Sequence, residues 1–170
     1  WGLYDVREKT DDSDFTDYYY DKEGNEIDYI QTWGGTWNAY GDMNDWNALR
    51  NYVLSNDMSN DANYQYVTER LNPLSLIDYI IINSHTVCSD WLNYNTSWWH
   101  SNDNEVRWRY VLWDMDATFD HYINYTGVPS TSPNAAPCGV ESPGVDDPEQ
   151  HINIFERLYE NEQFRSLYIN

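Results

Sequence analysis

Between Asn72 and Ile82 the chain reads Asn-Pro-Leu-Ser-Leu-Ile-Asp-Tyr-Ile-Ile-Ile, a run that few arrangements can accommodate. Asn72 is a helix cap, and Pro73 fits a first helical turn, where its missing N–H costs nothing. Leu74, Leu76, Ile77, Tyr79, Ile80, Ile81 and Ile82 then point apolar groups in nearly every direction. A helix apolar all round must be covered all round, so the spacing predicts a buried spine. The chain can supply the cover: 170 residues suffice for one domain with a sizeable core, and 9 Trp and 16 Tyr exclude a disordered segment.

The elements around that spine are mixed. Alternation over Gly2–Thr10 predicts a strand, followed by the acidic turn Asp11–Asp14 and a short helix over Phe15–Tyr20 capped by Asp14. Ile27–Trp33 reads as a strand closed by Gly34-Gly35. From Asp42, a cap, Met43, Trp46, Leu49, Tyr52 and Val53 follow helical spacing, and a further helix starts at Asn60-Asp61. Ser97–His100 reads as a strand that turns through Ser101–Asn104 into a second one beginning near Val106. Gly127–Pro148 is rich in Pro, Gly and Ser and predicts a long loop, after which Ile152, Phe155, Leu158 and Tyr159 mark an amphipathic helix and Phe164 starts another. The fold class is α+β.

Charge narrows the function classes. A formal net charge of -20, from 29 acidic against 9 basic residues, disfavours phosphate tracking on nucleic acid and docking to an anionic membrane, and favours cations. No apolar run is long enough to cross a bilayer, so membrane insertion is not expected. The sequence opens at Trp1, which reads as a processed or excised piece whose N-terminal neighbours belong to the same polypeptide. Cys88 and Cys138 show neither zinc spacing nor a C-x-x-C pair, and fit either one disulfide of an exported protein or two thiols.

The chemistry-bearing stretch is Val106–Asp120. Its first half alternates like a strand, and its second half, Trp113-Asp114-Met115-Asp116, delivers two carboxylates from a rigid element into a loop, one way of holding a divalent cation against a phosphate. An isolated Asp-x-Asp also reads as a hairpin end whose aspartates cap backbone groups. Upstream, Asp90 and Asn95 stand in the relation D-x-x-x-x-N on a loop leaving the apolar helix, the spacing by which protein-kinase-like phosphotransferases set a proton-accepting Asp beside a metal-binding Asn. Asp114, Asp116 and Asp120 lack the glycine and closing glutamate of an EF-hand. Trp91, Trp98, Trp99, Trp108 and Trp113 fit either a packed core or a sugar-stacking platform.

Three stretches together resemble the spore coat protein H (CotH) kinase family, atypical secreted or surface protein kinases of bacteria. They are S-L-I-D-Y-I-I-I-N, then S-D-W-L-N-Y-N, then W-R-Y-V-L-W-D-M-D-A-T-F; the N-terminal G-L-Y-D-V-R-E-K-T-D-D-S-D-F and G-D-M-N-D-W-N-A-L are similar to that family as well. The resemblance implies a kinase-like C-lobe over residues 42–170, mostly helical, a β remnant of the smaller lobe over residues 1–41, and a β-hairpin carrying W-D-x-D. It implies Asp90 as catalytic base, Asn95, Asp114 and Asp116 as metal ligands, and Glu8 and Lys9 on the cofactor, with Lys9 against phosphate. ATP with Mg2+ or Mn2+ would be the cofactors, and a protein on a coat or cell surface the partner. Where the family often shows a lysine near the second strand, this chain has Ile27-Asp28-Tyr29-Ile30-Gln31. The competing expectation is a non-catalytic extracellular scaffold or carbohydrate-associated module that keeps the fold without transfer.

Overall fold

The structure is a computed structural model that describes residues 10, 12–86, 88, 91–115, 117–119 and 147–170. In chain order its elements are α1 (Ser13–Tyr20), a 3-10 turn (Gly24–Glu26), β1 (Ile27–Thr32), β2 (Thr36–Tyr40), α2 (Asn44–Ser55), α3 (Asp61–Thr68) and α4 (Pro73–His85), followed by β3 (Thr96–Ser101), β4 (Arg109–Val111), α5 (His151–Tyr159) and α6 (Glu162–Ile169). The α+β class is therefore observed. The strands form one antiparallel sheet in the order β2-β1-β3-β4, so strands from residues 27–40 and from residues 96–111 share a single sheet.

Side-chain alternation divides the core between the two faces of that sheet. Ile30 and Trp98, cross-strand partners, face the helices with Trp46, Trp108, Leu76, Phe155 and Phe164. The rings of Trp46 and Trp98 lie 5.3 Å apart, as do those of Trp46 and Trp108. Tyr29 and Trp99, the next pair along, face the other way and are covered by Phe15 and Tyr20 of α1. Trp91, Trp98, Trp99 and Trp108 are all buried, which makes them core rather than a platform.

Several helix starts follow from local chemistry. The Asn72 carboxamide oxygen accepts from the amides of Leu74 and Ser75, and Pro73 occupies the first turn as expected. Asn161 accepts from Gln163 N–H and, being wholly buried, also donates to the Met58 carbonyl and the Asp61 carboxylate, which fastens the start of α6 to the start of α3. α1 begins earlier than the sequence implies: its cap is Asp12, not Asp14, because the Asp12 carboxylate reaches the Asp14 N–H. Asp42 bonds the Asn44 amide but stands one residue ahead of the cap position of α2, held there by its own N–H on the Asp28 carboxylate.

Two further expectations need revision. α4 is buried on one side only, through Leu76, Ile77, Tyr79 and Ile80, while Leu74, Ile81 and Ile82 are exposed. The sheet and the neighbouring helices reach one face of it, and a cavity of about 390 Å³ lies along part of the other, between α4, β4 and α1. The strand expected from Val106 is short, because the chain changes partners on the way: Val106 N–H donates to the Ser101 hydroxyl, and Trp108 exchanges backbone bonds with Arg70 and Asn72 before β4 begins. β2 was not expected. Trp37, Asn38 and Ala39 are exposed along it, so it carries no inward-facing alternation for sequence to display.

Candidate functional site

Asn95 and Asp114 reach the same end of the sheet. Ser97 pairs with Val111 in the antiparallel β3–β4 ladder, so Asn95, two residues before Ser97, and Asp114, three residues beyond Val111, leave the strands at one edge. The β1–β2 turn comes to that edge too, where Gly34 N–H donates to the Asn93 carbonyl at 2.7 Å. The segment after Asp114 returns to the end of α4, with Phe119 N–H on the Thr86 carbonyl at 3.1 Å. A helix end, a strand start and a strand exit thus meet in one place.

The loop into β3 is tightly specified. Leu92 N–H donates to the Thr96 hydroxyl at 2.9 Å, and the Tyr79 hydroxyl, from α4, donates to the same oxygen and lies near the Asn95 carbonyl. Asn95 is 7% exposed and has φ 53°; Asp114, half-buried, has φ 50°; Leu92 and Phe119 are also left-handed, at 74° and 50°. Asn and Asp tolerate that conformation, whereas for a leucine it costs about 1–2 kcal/mol and persists only where surrounding bonds impose it. Backbone strain therefore collects where the sequence places its chemistry.

Asp90, Asp116, Glu8 and Lys9 lie outside the described residues, as do Asp120 and Cys138, and with Cys138 the choice between a disulfide to Cys88 and two thiols. Residues on both sides of Asp90 are buried, Cys88 before it and Trp91 and Leu92 after it. The surroundings of the second lysine bear on the expectation for Lys9. The chain has two lysines, and the other, Lys22, bridges Asp103 at 2.5 Å and Glu105 at 2.8 Å at the far end of β3, contacts that raise its pKa further above the ordinary lysine value. Lys22 is therefore committed elsewhere.

Two arrangements escape sequence reading because their members are far apart in the chain. Tyr110 of β4 and His151 of α5 share a 2.7 Å hydrogen bond inside the core. Burial pushes the Tyr110 phenol well up and holds the His151 imidazole below its usual value, neighbouring Asp147 and Glu149 opposing the latter. His100 of β3 faces Asp28 of β1 and Asp45 of α2. Only the position of His100 near an acidic chain could have hinted at it.

A family model described as CotH kinase protein matches residues 1–170, the whole chain. No curated protein and no solved structure matches it.

Proposed function

The chain belongs to the CotH kinase protein family, and from that membership we propose that it is an atypical protein kinase, moving the γ-phosphoryl group of ATP to a Ser or Thr hydroxyl on a surface or coat protein. The observation that carries the reading is the arrival of Asn95 and Asp114 at one edge of the sheet from opposite strands. A carboxamide oxygen and a carboxylate are the hard oxygen donors that Mg2+ and Mn2+ take, so these residues fit the cation, and Asp116 is the further ligand that the family resemblance implies. When bound, that cation neutralises charge on the phosphates. Asp90 accepts the hydroxyl proton as the acceptor oxygen bonds to the γ-phosphorus and ADP leaves. Glu8 and Lys9 complete the cofactor side as the family resemblance implies, Lys9 as phosphate contact; Lys22 is held by two carboxylates. In lobe terms, residues 42–170 are a kinase-like C-lobe carrying W-D-x-D after its hairpin, and residues 1–41 a piece of the smaller lobe.

Surface association accords with a coat-protein family, and among the described residues no helix is long and apolar enough to cross a membrane. The second reading, a non-catalytic or carbohydrate-associated module, has one observation in its favour. Trp33 is 64% exposed against the Tyr94 ring at this same edge, and Trp37 is 42% exposed on β2. Nucleotide binding separates the two. Mg·ATP should raise the melting temperature of the wild type, Asp114→Ala should abolish the rise, and Asp90→Ala should keep the rise and lose transfer. No rise at saturating nucleotide would return the chain to the module reading.

A further inference from the structure

At the other end of β3 from Asn95 stands a group that the kinase reading does not use. Asp28 and His100 are directly opposite each other on β1 and β3, on the sheet face packed against the helices, and Asp45 projects from the first turn of α2. His100 Nε2 lies 3.0 Å from Asp28 Oδ2 and 3.9 Å from Asp45 Oδ2, and the ligand atoms of all three fall within 4.8 Å of one another.

The charge balance of this group is incomplete. An imidazole nitrogen carries one proton at most, and that proton satisfies one carboxylate; the second then faces the same nitrogen without a donor. Among the described residues no Lys or Arg pairs with Asp28 or Asp45. Arg70 borders the neighbouring cavity of about 250 Å³, but its guanidinium is turned onto the Tyr66 ring and carbonyl. His100 is 1% exposed and the Asp28 side chain 10%, so that pair is shut off from water, while Asp45, 64% exposed, brings a second carboxylate to the same nitrogen from the solvent side. A divalent cation placed between the three groups would balance both carboxylates at once.

The frame is rigid and supported from behind. Two of the three groups come from paired strands, and the other oxygen of Asp28 accepts from Asp42 N–H at 2.8 Å, which orients the carboxylate. Gly41, at φ +63°, lies so close that a Cβ there would meet Asp28 Oδ1 at 1.9 Å. Among the described residues His100 Nδ1 has no partner, and His100 lines the cavity, whose volume admits water to take that proton when Nε2 faces a cation. Bonds of 2.0–2.1 Å to a tetrahedral ion put ligand atoms about 3.4 Å apart, between the two nitrogen–oxygen distances seen here.

We propose that Asp28, Asp45 and His100 form a site for a borderline divalent cation of the Zn2+ class, with water from the exposed Asp45 side as further ligand. A buried imidazole among three donors selects against Mg2+ and Ca2+, which take oxygen. The test is a titration of chelator-stripped full chain with ZnCl2 by calorimetry. One-to-one binding, weakened at least ten-fold in Asp45→Asn and unchanged in Asp114→Ala or in excess MgCl2, is expected. Asp45 is 64% exposed, so its substitution spares the core. In the wild type, Zn2+ should also shift the His100 ring ¹⁵N resonances, a readout independent of any variant. Absence of binding, equal affinity in Asp45→Asn, loss in Asp114→Ala, or an unmoved His100 resonance would each overturn the assignment.

Discussion

At the scale of single residues, Asn95 offers a clean separation of backbone from side chain. Its φ of 53° is a conformation glycine adopts freely, so Asn95→Gly keeps the loop and deletes the carboxamide. Stability should change by about 1 kcal/mol, read from urea midpoints, while the Mg·ATP-dependent rise in melting temperature disappears; a retained rise would remove Asn95 from the cation. His151 bears on stability against pH. Burial is the larger cause and lowers its pKa, so the unfolded chain takes up the proton first as pH falls. Stability is therefore present in full above the unfolded value of 6.5 and lost below it, with a slope of up to about 1.4 kcal/mol per pH unit. Urea midpoints from pH 7.5 to 5.5 should show that loss, and His151→Gln should flatten it. Sequence could nominate Asn95 and Asp114, since each belongs to a local spacing. It could not nominate Asp28, Asp45 and His100, which are brought together only by strand pairing and helix packing.

At the scale of elements, the Asn caps were legible, the caps expected at Asp14 and Asp42 fell two residues and one residue off, and strand ends were not legible. A capping side chain bonds amides two or three residues away, so Asn72 and Asn60 announce their helices in the sequence itself. The strength of a cap is another matter, because it depends on what else the side chain touches. Asn72→Ala should cost about 1 kcal/mol. Asn161→Ala removes a cap and also buried bonds to Met58 and Asp61, so about 3 kcal/mol is expected. Chemical denaturation of the two variants checks the order; equal costs would mean that the buried bonds add nothing. Strand limits followed pairing partners instead. Val106 to Trp108 has the composition of a strand, yet its backbone groups go to Ser101, Arg70 and Asn72.

At the scale of the whole molecule, the α+β class and the family were readable from composition, period and motif, and the closure of the sheet was not. Residues 27–40 contribute two of the four strands, and β1 lies between β2 and β3. A chain starting at residue 42 would lose both, and Ile30 with them, baring the inner edge of β3 and Trp98, the core partner of Ile30. Such a chain should unfold without a cooperative transition by circular dichroism, whereas a sharp transition would make residues 42–170 a self-sufficient body. The apolar run over residues 72–82 predicts cover on all sides, yet one face of its helix borders a cavity and solvent; counting apolar residues on a helix says how much must be covered and not from which direction.

The tight approach at Gly41 also limits how the sequence can drift. A Cβ at position 41 would meet not only the acid at position 28 but the backbone carbonyl of Ile27 at 2.5 Å, with φ at +63°, so a replacement there is refused even by a chain that has given up that acid. A glycine in a surface turn, which reads as punctuation, thereby keeps that turn pressed against β1.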